Sequence, residues 1–222
     1  MRDATTLTHH PAKAPPKPNH PLAFPSRLMA LLSKTAQAAV AGAGGGYLNP
    51  SKIASGSSVR FALLSDEPLE FYELWAEGPD GKAKPFRFAQ EPGPDDIALE
   101  LGDFTRRQNR EGTGPEPVKF ALALPVYSYD AAEVQVLSLT QKSIIRELDG
   151  ISQTDDYEDI TATDFTLGKE GSGLNTEYKL LPVPRKKGAD ATIAAAWEDA
   201  KSAGFAIERM MTGGNPFRED KA

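Results

Sequence analysis

Residues 118–130, VKFALALPVYSYD, constrain this chain more than any other stretch. Val118, Phe120, Leu122, Leu124 and Val126 fall on one face. Lys119, Ala121, Ala123, Tyr127 and Tyr129 fall on the other. Side chains repeat every two residues in a strand; a helix would scatter this apolar set around its axis. DAAE then turns the chain, and VQVLSLT at 134–140 runs back, so a hairpin is expected.

The same grammar recurs from Tyr47 onward. SVRFALL at 58–64 sets Val59, Phe61 and Leu63 against Arg60, Ala62 and Leu64. EFYELWAE at 70–77 and KPFRF at 84–88 flank the turn former GPDGK. Two further strands, Asp164 to Lys169 and Thr176 to Pro182, flank GKEGSGLNT, where Gly171 and Gly173 are free to take positive φ. TQKSIIRELDGI, 140–151, reads as a helix with Thr140 as N-cap, Ile144, Ile145 and Leu148 as the buried stripe and Gly150 at its end. ADATIAAAWEDAKSAGF, 189–205, reads as another, with Ile193, Ala196, Trp197 and Ala200 on one side and Gly204 as its stop. Residues 91–103 read as an acidic loop holding a short turn of helix. Residues 105–117 read as an exposed, mobile loop, and 210–222 as a flexible tail. Short strands, frequent turns and a helix inserted between strands predict a mainly β fold, a small barrel or mixed sheet, rather than a βαβ sheet.

Composition removes several chemistries. With no cysteine there is no disulfide, thiolate metal site or cysteine nucleophile. The only histidines, His9, His10 and His20, lie in a Pro-rich N-terminal stretch, so the β body holds no histidine triad or His-rich zinc site. No apolar run is long enough to cross a membrane. Residues 1–46 read as a basic Pro/Ala/Gly-rich arm with a short amphipathic helix carrying Leu28, Leu31, Leu32 and Ala36. Lys34 interrupts the apolar part of that helix, which is unlike a signal peptide. Residues 1–52 carry Arg2, Lys13, Lys17, Arg27, Lys34 and Lys52 against Asp3 alone. That is +5 in a chain of net −6, leaving −11 for the rest. A basic arm on an acidic body suits a polyanionic partner.

Two clusters invite functional readings. Asp155, Asp156, Glu158 and Asp159 crowd one connection. An EF-hand loop starting at Asp155 needs glycine at its sixth position and glutamate at its twelfth. Ile160 and Thr166 stand there, so these acids read as solvated turn formers. The second cluster interleaves aromatics with cations along strands: Trp75, Phe86, Phe88, Tyr127 and Tyr129 beside Arg60, Lys84, Arg87 and Lys119. Single-stranded nucleic acid needs both, because every base offers a π-face and every phosphate a charge. The bland reading is that strand aromatics are core, which holds best for Phe61 and Phe120.

Taken in order, several phrases look like one family. They are YLNPSKIASGSSVRFALLS, LEFYELWAE, KPFRF, VKFALALPVYSYD, VQVLSLTQKSIIRELDGI and DDYEDITATDFTLGKEGSGLNTEYKLLPVP. The order resembles single-stranded DNA-binding proteins of tailed phages, including those infecting cyanobacteria, from about Tyr47 to Pro184. The resemblance implies an OB-like five-stranded barrel over 47–184, with a C-terminal helix and tail over 185–222. It implies a protein that is not an enzyme, needs no cofactor, and binds and protects single-stranded DNA during replication, recombination or repair in the host cytoplasm. On that reading Arg60, Lys84, Arg87 and Lys119 meet phosphates, and Trp75, Phe86, Phe88, Tyr127 and Tyr129 stack on bases. Arg106, Arg107 and Arg110 would close over the strand. The tail, whose Pro216-Phe217 resembles the tip of bacterial counterparts, would dock replication or recombination proteins, and the arm would support self-association. Proteins of this class often end in a strongly acidic tail; here Arg218 and Lys221 interrupt Glu219 and Asp220. Two alternatives remain: a non-catalytic assembly protein of a virion or replisome, and a metal-dependent hydrolase using the 155–159 acids.

Overall fold

A computed structural model describes residues 46–218, so the helix expected over 28–43 lies outside the described residues. The protein is mainly β. Its strands are β1 (Tyr47–Leu48), β2 (Ser57–Leu63), β3 (Leu69–Glu77), β4 (Ala83–Phe88), β5 (Thr105–Arg106), β6 (Lys119–Ser128), β7 (Glu133–Leu139), β8 (Asp164–Glu170) and β9 (Glu177–Val183). Among the described residues three α-helices join them: α1 (Pro94–Leu101), α2 (Lys142–Ser152) and α3 (Asp190–Ser202).

The alternating run that opens the sequence is the hub. One edge of β6 pairs with β3 over Lys119–Ala123 and then with β2 over Val126–Ser128, and the other edge pairs with β7. The main path runs β1-β7-β6-β2-β8-β9, with β4 and β5 both on β3. Only β1 and β7 run parallel, so the sheet is mixed. Nine strands, not five, build it, and its ladders do not close: β9 pairs with β8 but not with β7. Helix α2 lies against both β7 and β9, and Glu147 Oε2 accepts from the Leu180 amide at 3.0 Å. The main core gathers Phe61, Leu124, Val126, Leu137, Ile144, Leu148, Phe165 and Leu180 under it. Phe61 and Phe165 are Cα partners across β2–β8 and stack at 5.7 Å.

The other face of β6 is buried too, and this corrects the sequence reading. Ala121 and Ala123 are small enough for the C-terminal segment to approach closely. Met210 packs on them with Phe71 and Val136, flanked by Phe205, Met211 and Phe217. The stretch expected to be a flexible tail folds back as far as Phe217, where the Ala206 amide donates to the Pro216 carbonyl at 2.9 Å. Helix α3 covers Ala62 and Tyr127 through Ile193. Residues 94–101 form a full helix, α1, whose Leu101 and Ile97 cover Leu74, Ala76 and Phe86. The 105–117 loop is tied down. Arg107 N donates to Trp75 O at 2.9 Å, Glu116 N to Arg107 O at 2.7 Å, and Gln108 bridges Pro115.

Two smaller differences have local causes. Gln141 rather than Thr140 precedes α2, and the helix runs through Gly150 to Ser152, whose hydroxyl donates to the Asp149 carbonyl at 2.8 Å. At the β8–β9 turn Gly171 takes φ +70°, and a Cβ there would sit 2.0 Å from the Asn175 carbonyl oxygen, so only glycine fits.

Candidate nucleic-acid interface

Strands β3 and β4 and the start of β6 build a groove of about 680 Å³. Glu73 and Trp75 are two apart on β3 and share a face. In the antiparallel ladder Glu73 lies opposite Arg87 of β4 and Lys119 of β6, and Trp75 lies opposite Pro85. Lys84 reaches the edge of the groove, but it lies opposite Ala76, so its side chain leaves on the other face of β4. The far wall comes from Tyr47, Asn49, Ser51 and Lys52, from Ser138, Thr140 and Gln141 after the β7 ladder, and from Gly213 and Gly214. Three of the residues expected from sequence, Trp75, Arg87 and Lys119, are thus brought together on one face.

Their roles divide on their partners. Arg87 is held: Nε pairs with Glu73 Oε2 at 3.1 Å, Nη1 donates to the Met210 carbonyl at 2.7 Å, and the guanidinium lies 5.5 Å from the Phe71 ring centre. Its side chain is 13% exposed, so it clasps the C-terminal segment to β4 rather than awaiting a phosphate. Glu73 also orients the indole, since Trp75 Nε1 donates to its Oε1 at 3.0 Å. Lys84 is exposed; its ammonium lies 4.5 Å from the Phe86 ring centre and 4.4 Å from that of Phe104. Lys52 is exposed and has no ion pair among the described residues. Lys119 pairs with Glu116 at the surface, a contact worth little in water. Arg107 covers Trp75 at 5.3 Å from the ring centre and pairs loosely with Glu77 at 3.5 Å. Arg106 is half-buried on β5, and Arg110 is exposed in the loop beyond it.

The remaining expected residues lie elsewhere. Phe86 is buried under α1, with Phe88 packed on the same cluster, and Tyr127 is buried under α3; each is core, not a stacking surface. Burial of both sheet faces is the physical reason. Arg60 donates from Nε and Nη2 to Asp164 Oδ2 at 2.9 and 2.7 Å, and from Nη2 to the Pro184 carbonyl at 2.8 Å. Tyr129 meets Tyr127 edge-on at 5.4 Å, with Arg60 and Lys186 over its ring.

Burial first, and the Asp164 carboxylate second, push the Tyr129 phenol up to about 12, against the opposing charges of Arg185 and Arg60. A free tyrosine titrates near ~10. Between those values the folded state keeps a proton that the unfolded chain has released. Its stability contribution is therefore whole below ~10 and falls as pH rises towards about 12. Tyr129→Phe should flatten that part of the alkaline fall in urea midpoints. An ultraviolet titration of the folded protein should show one phenol fewer near 12.

Sequence reasoning missed Tyr47, Lys52 and the Gly213–Gly214 wall. Tyr47 is 37% exposed and braced edge-on by Phe217 at 6.0 Å. The apolar trio Met210, Met211 and Phe217 was the available signal that the tail docks. Of the acids expected to be turn formers, Asp159 is one: its Oδ1 accepts from the Thr161 and Ala162 amides at 3.0 and 3.2 Å. The Thr161 hydroxyl bond is the main cause holding its carboxyl below the usual range. Among the described residues no group of three or more His, Cys, Asp or Glu is placed to hold a metal ion, and no helix is long and apolar enough to cross a membrane. Set against models of protein families, curated proteins and solved structures, the chain finds no match.

Proposed function

We propose that the protein binds single-stranded DNA without reading its sequence and protects it during replication, recombination or repair. The observation that carries this is the groove in which the Trp75 and Tyr47 rings lie between Lys52 and Lys119, with Arg107 over the indole. Aromatic faces stack on any base, and lysines follow the phosphates, which is the chemistry of sequence-tolerant single-strand binding. Arg107 acts as a placeholder on Trp75. A base takes over the ring face, and the freed guanidinium turns to the backbone. Glu73 keeps the indole oriented and repels a phosphate from the groove floor, so the strand enters bases first.

The fold is compatible with this reading. Strands β2, β6, β7, β8 and β9, with α2 between the third and the fourth, follow the order of an OB-like barrel. In such barrels the second and third strands and the adjoining loops take up oligonucleotides. Here α2 fills the gap between β7 and β9, and the β3–β4 hairpin with α1 is an insertion after the first strand.

Titrating intrinsic fluorescence with oligothymidine tests the proposal. Three phosphate contacts, at about −0.7 each for single strands, give a slope of about −2 in log affinity against log salt. Absence of binding at low salt would sink the reading.

A further inference from the structure

On the opposite side of β6 from the groove lies a second hollow of about 500 Å³. Lys119 lines one and Phe120, Leu122 and Leu124 the other, because neighbouring residues of a strand face opposite ways. Its floor is apolar: Leu63, Phe120, Leu122 and Leu124 from the sheet, Ile145 and Leu148 from α2. Its rim is acidic: Asp66, Glu70, Asp149 and Glu158 are exposed, and Arg146 is the only cation among the lining residues. None of the four carboxylates makes a salt bridge within the described residues. A phosphate backbone is repelled from such a place, and a bare apolar ligand leaves the rim unused.

We propose that this hollow docks a protein partner through an amphipathic helix whose apolar stripe is flanked by lysines or arginines. The apolar stripe would cover Phe120 and Ile145, the two floor residues that are only half-buried. The flanking cations would meet Glu70 on β3 and Asp149 on α2, the two walls of the hollow. Helix-in-groove recognition works in this way: apolar anchors supply the affinity and complementary charge the orientation. The protein would thus carry nucleic acid on one side of β6 and a cationic partner segment on the other, with the two charges kept apart.

The test uses the full chain and a labelled helical peptide of leucine and lysine, with the same peptide carrying glutamate for lysine as control. Fluorescence anisotropy should give saturable binding at one peptide per chain for the lysine form and none for the glutamate form. Glu70→Lys with Asp149→Lys should weaken it about tenfold or more, and Ile145→Asp should do the same. Asp95→Lys with Glu100→Lys, on α1 and away from the hollow, should leave it unchanged, as should saturation with oligothymidine. No binding overturns the proposal. So does binding that both charge-reversed pairs weaken alike, since the peptide would then follow net charge alone. Circular dichroism of each variant separates loss of docking from loss of fold.

Discussion

Trp75→Ala is expected to lower affinity for oligothymidine by about tenfold or more, the loss of roughly 1–3 kcal/mol for one stacked base. The chain has two tryptophans, so the experiment has an internal control. Trp197 sits on α3, edge-on to Phe205 at 5.3 Å with the Lys201 ammonium 5.5 Å from its ring centre, and does not line the groove. Trp197→Phe should therefore keep both affinity and fluorescence quenching, while Trp75→Phe should lose the quenching and only part of the affinity. The lysines separate from the tryptophan by their salt dependence. Lys52→Met or Lys119→Met should lower the salt slope by about 0.7 each, whereas Trp75→Ala weakens binding at every salt concentration alike. Trp75→Ala that binds as tightly as the parent at both salt concentrations would remove the groove from the site.

What the sequence made legible, and what it hid, follows from the same alternation. The period-two pattern located β2, β3, β4, β6, β7, β8 and β9 and put Phe120, Leu122, Leu124 and Val126 on one buried face, as they are. It failed on the second face. Alternation marks the more apolar side but cannot say that the other is covered as well. Ala121 and Ala123 look neutral in sequence, yet small side chains are what close approach of Met210 requires. Phe86 stands beside cations in the sequence and Tyr127 shares a strand face with Lys119, but α1 comes to rest over the first from nearby in the chain and α3 over the second from some sixty residues on. Trp75 and Lys119 were found because β3 pairs directly with β6, while Lys84, one residue out of phase with Pro85 opposite Trp75, points to the other face. Tyr47 and Lys52 were missed because β1 reaches the groove by pairing with β7, nearly ninety residues on, a register of two residues that no local pattern encodes.

Arg60 carries the second large effect, through its partner Asp164. That carboxylate is 0% exposed and holds Arg60 on one oxygen and Arg185 Nε on the other at 2.6 Å, while the Lys186 amide donates to it at 3.2 Å. It ties β2, β8 and the chain leading into α3 at one point. Asp164→Ala is expected to cost about 3 kcal/mol in urea unfolding. That is the lower end of the range for removing one partner of a buried pair, because the Arg60 side chain is 34% exposed and reaches water. Replacing all three charges together, Arg60→Met with Asp164→Leu and Arg185→Met, should recover most of that loss, since the cost lies in an uncompensated charge rather than in an absent attraction. The same residues then decide what Arg60 does. A phosphate-binding arginine replaced by methionine lowers the salt slope and leaves stability alone. An arginine committed to Asp164 and to the Pro184 carbonyl lowers stability and leaves the slope alone. Arg60→Met is expected to do the second, with Lys52→Met doing the first in the same assay, and the reverse result would move the DNA path from the β3–β4 groove to the β2–β8 side of the sheet.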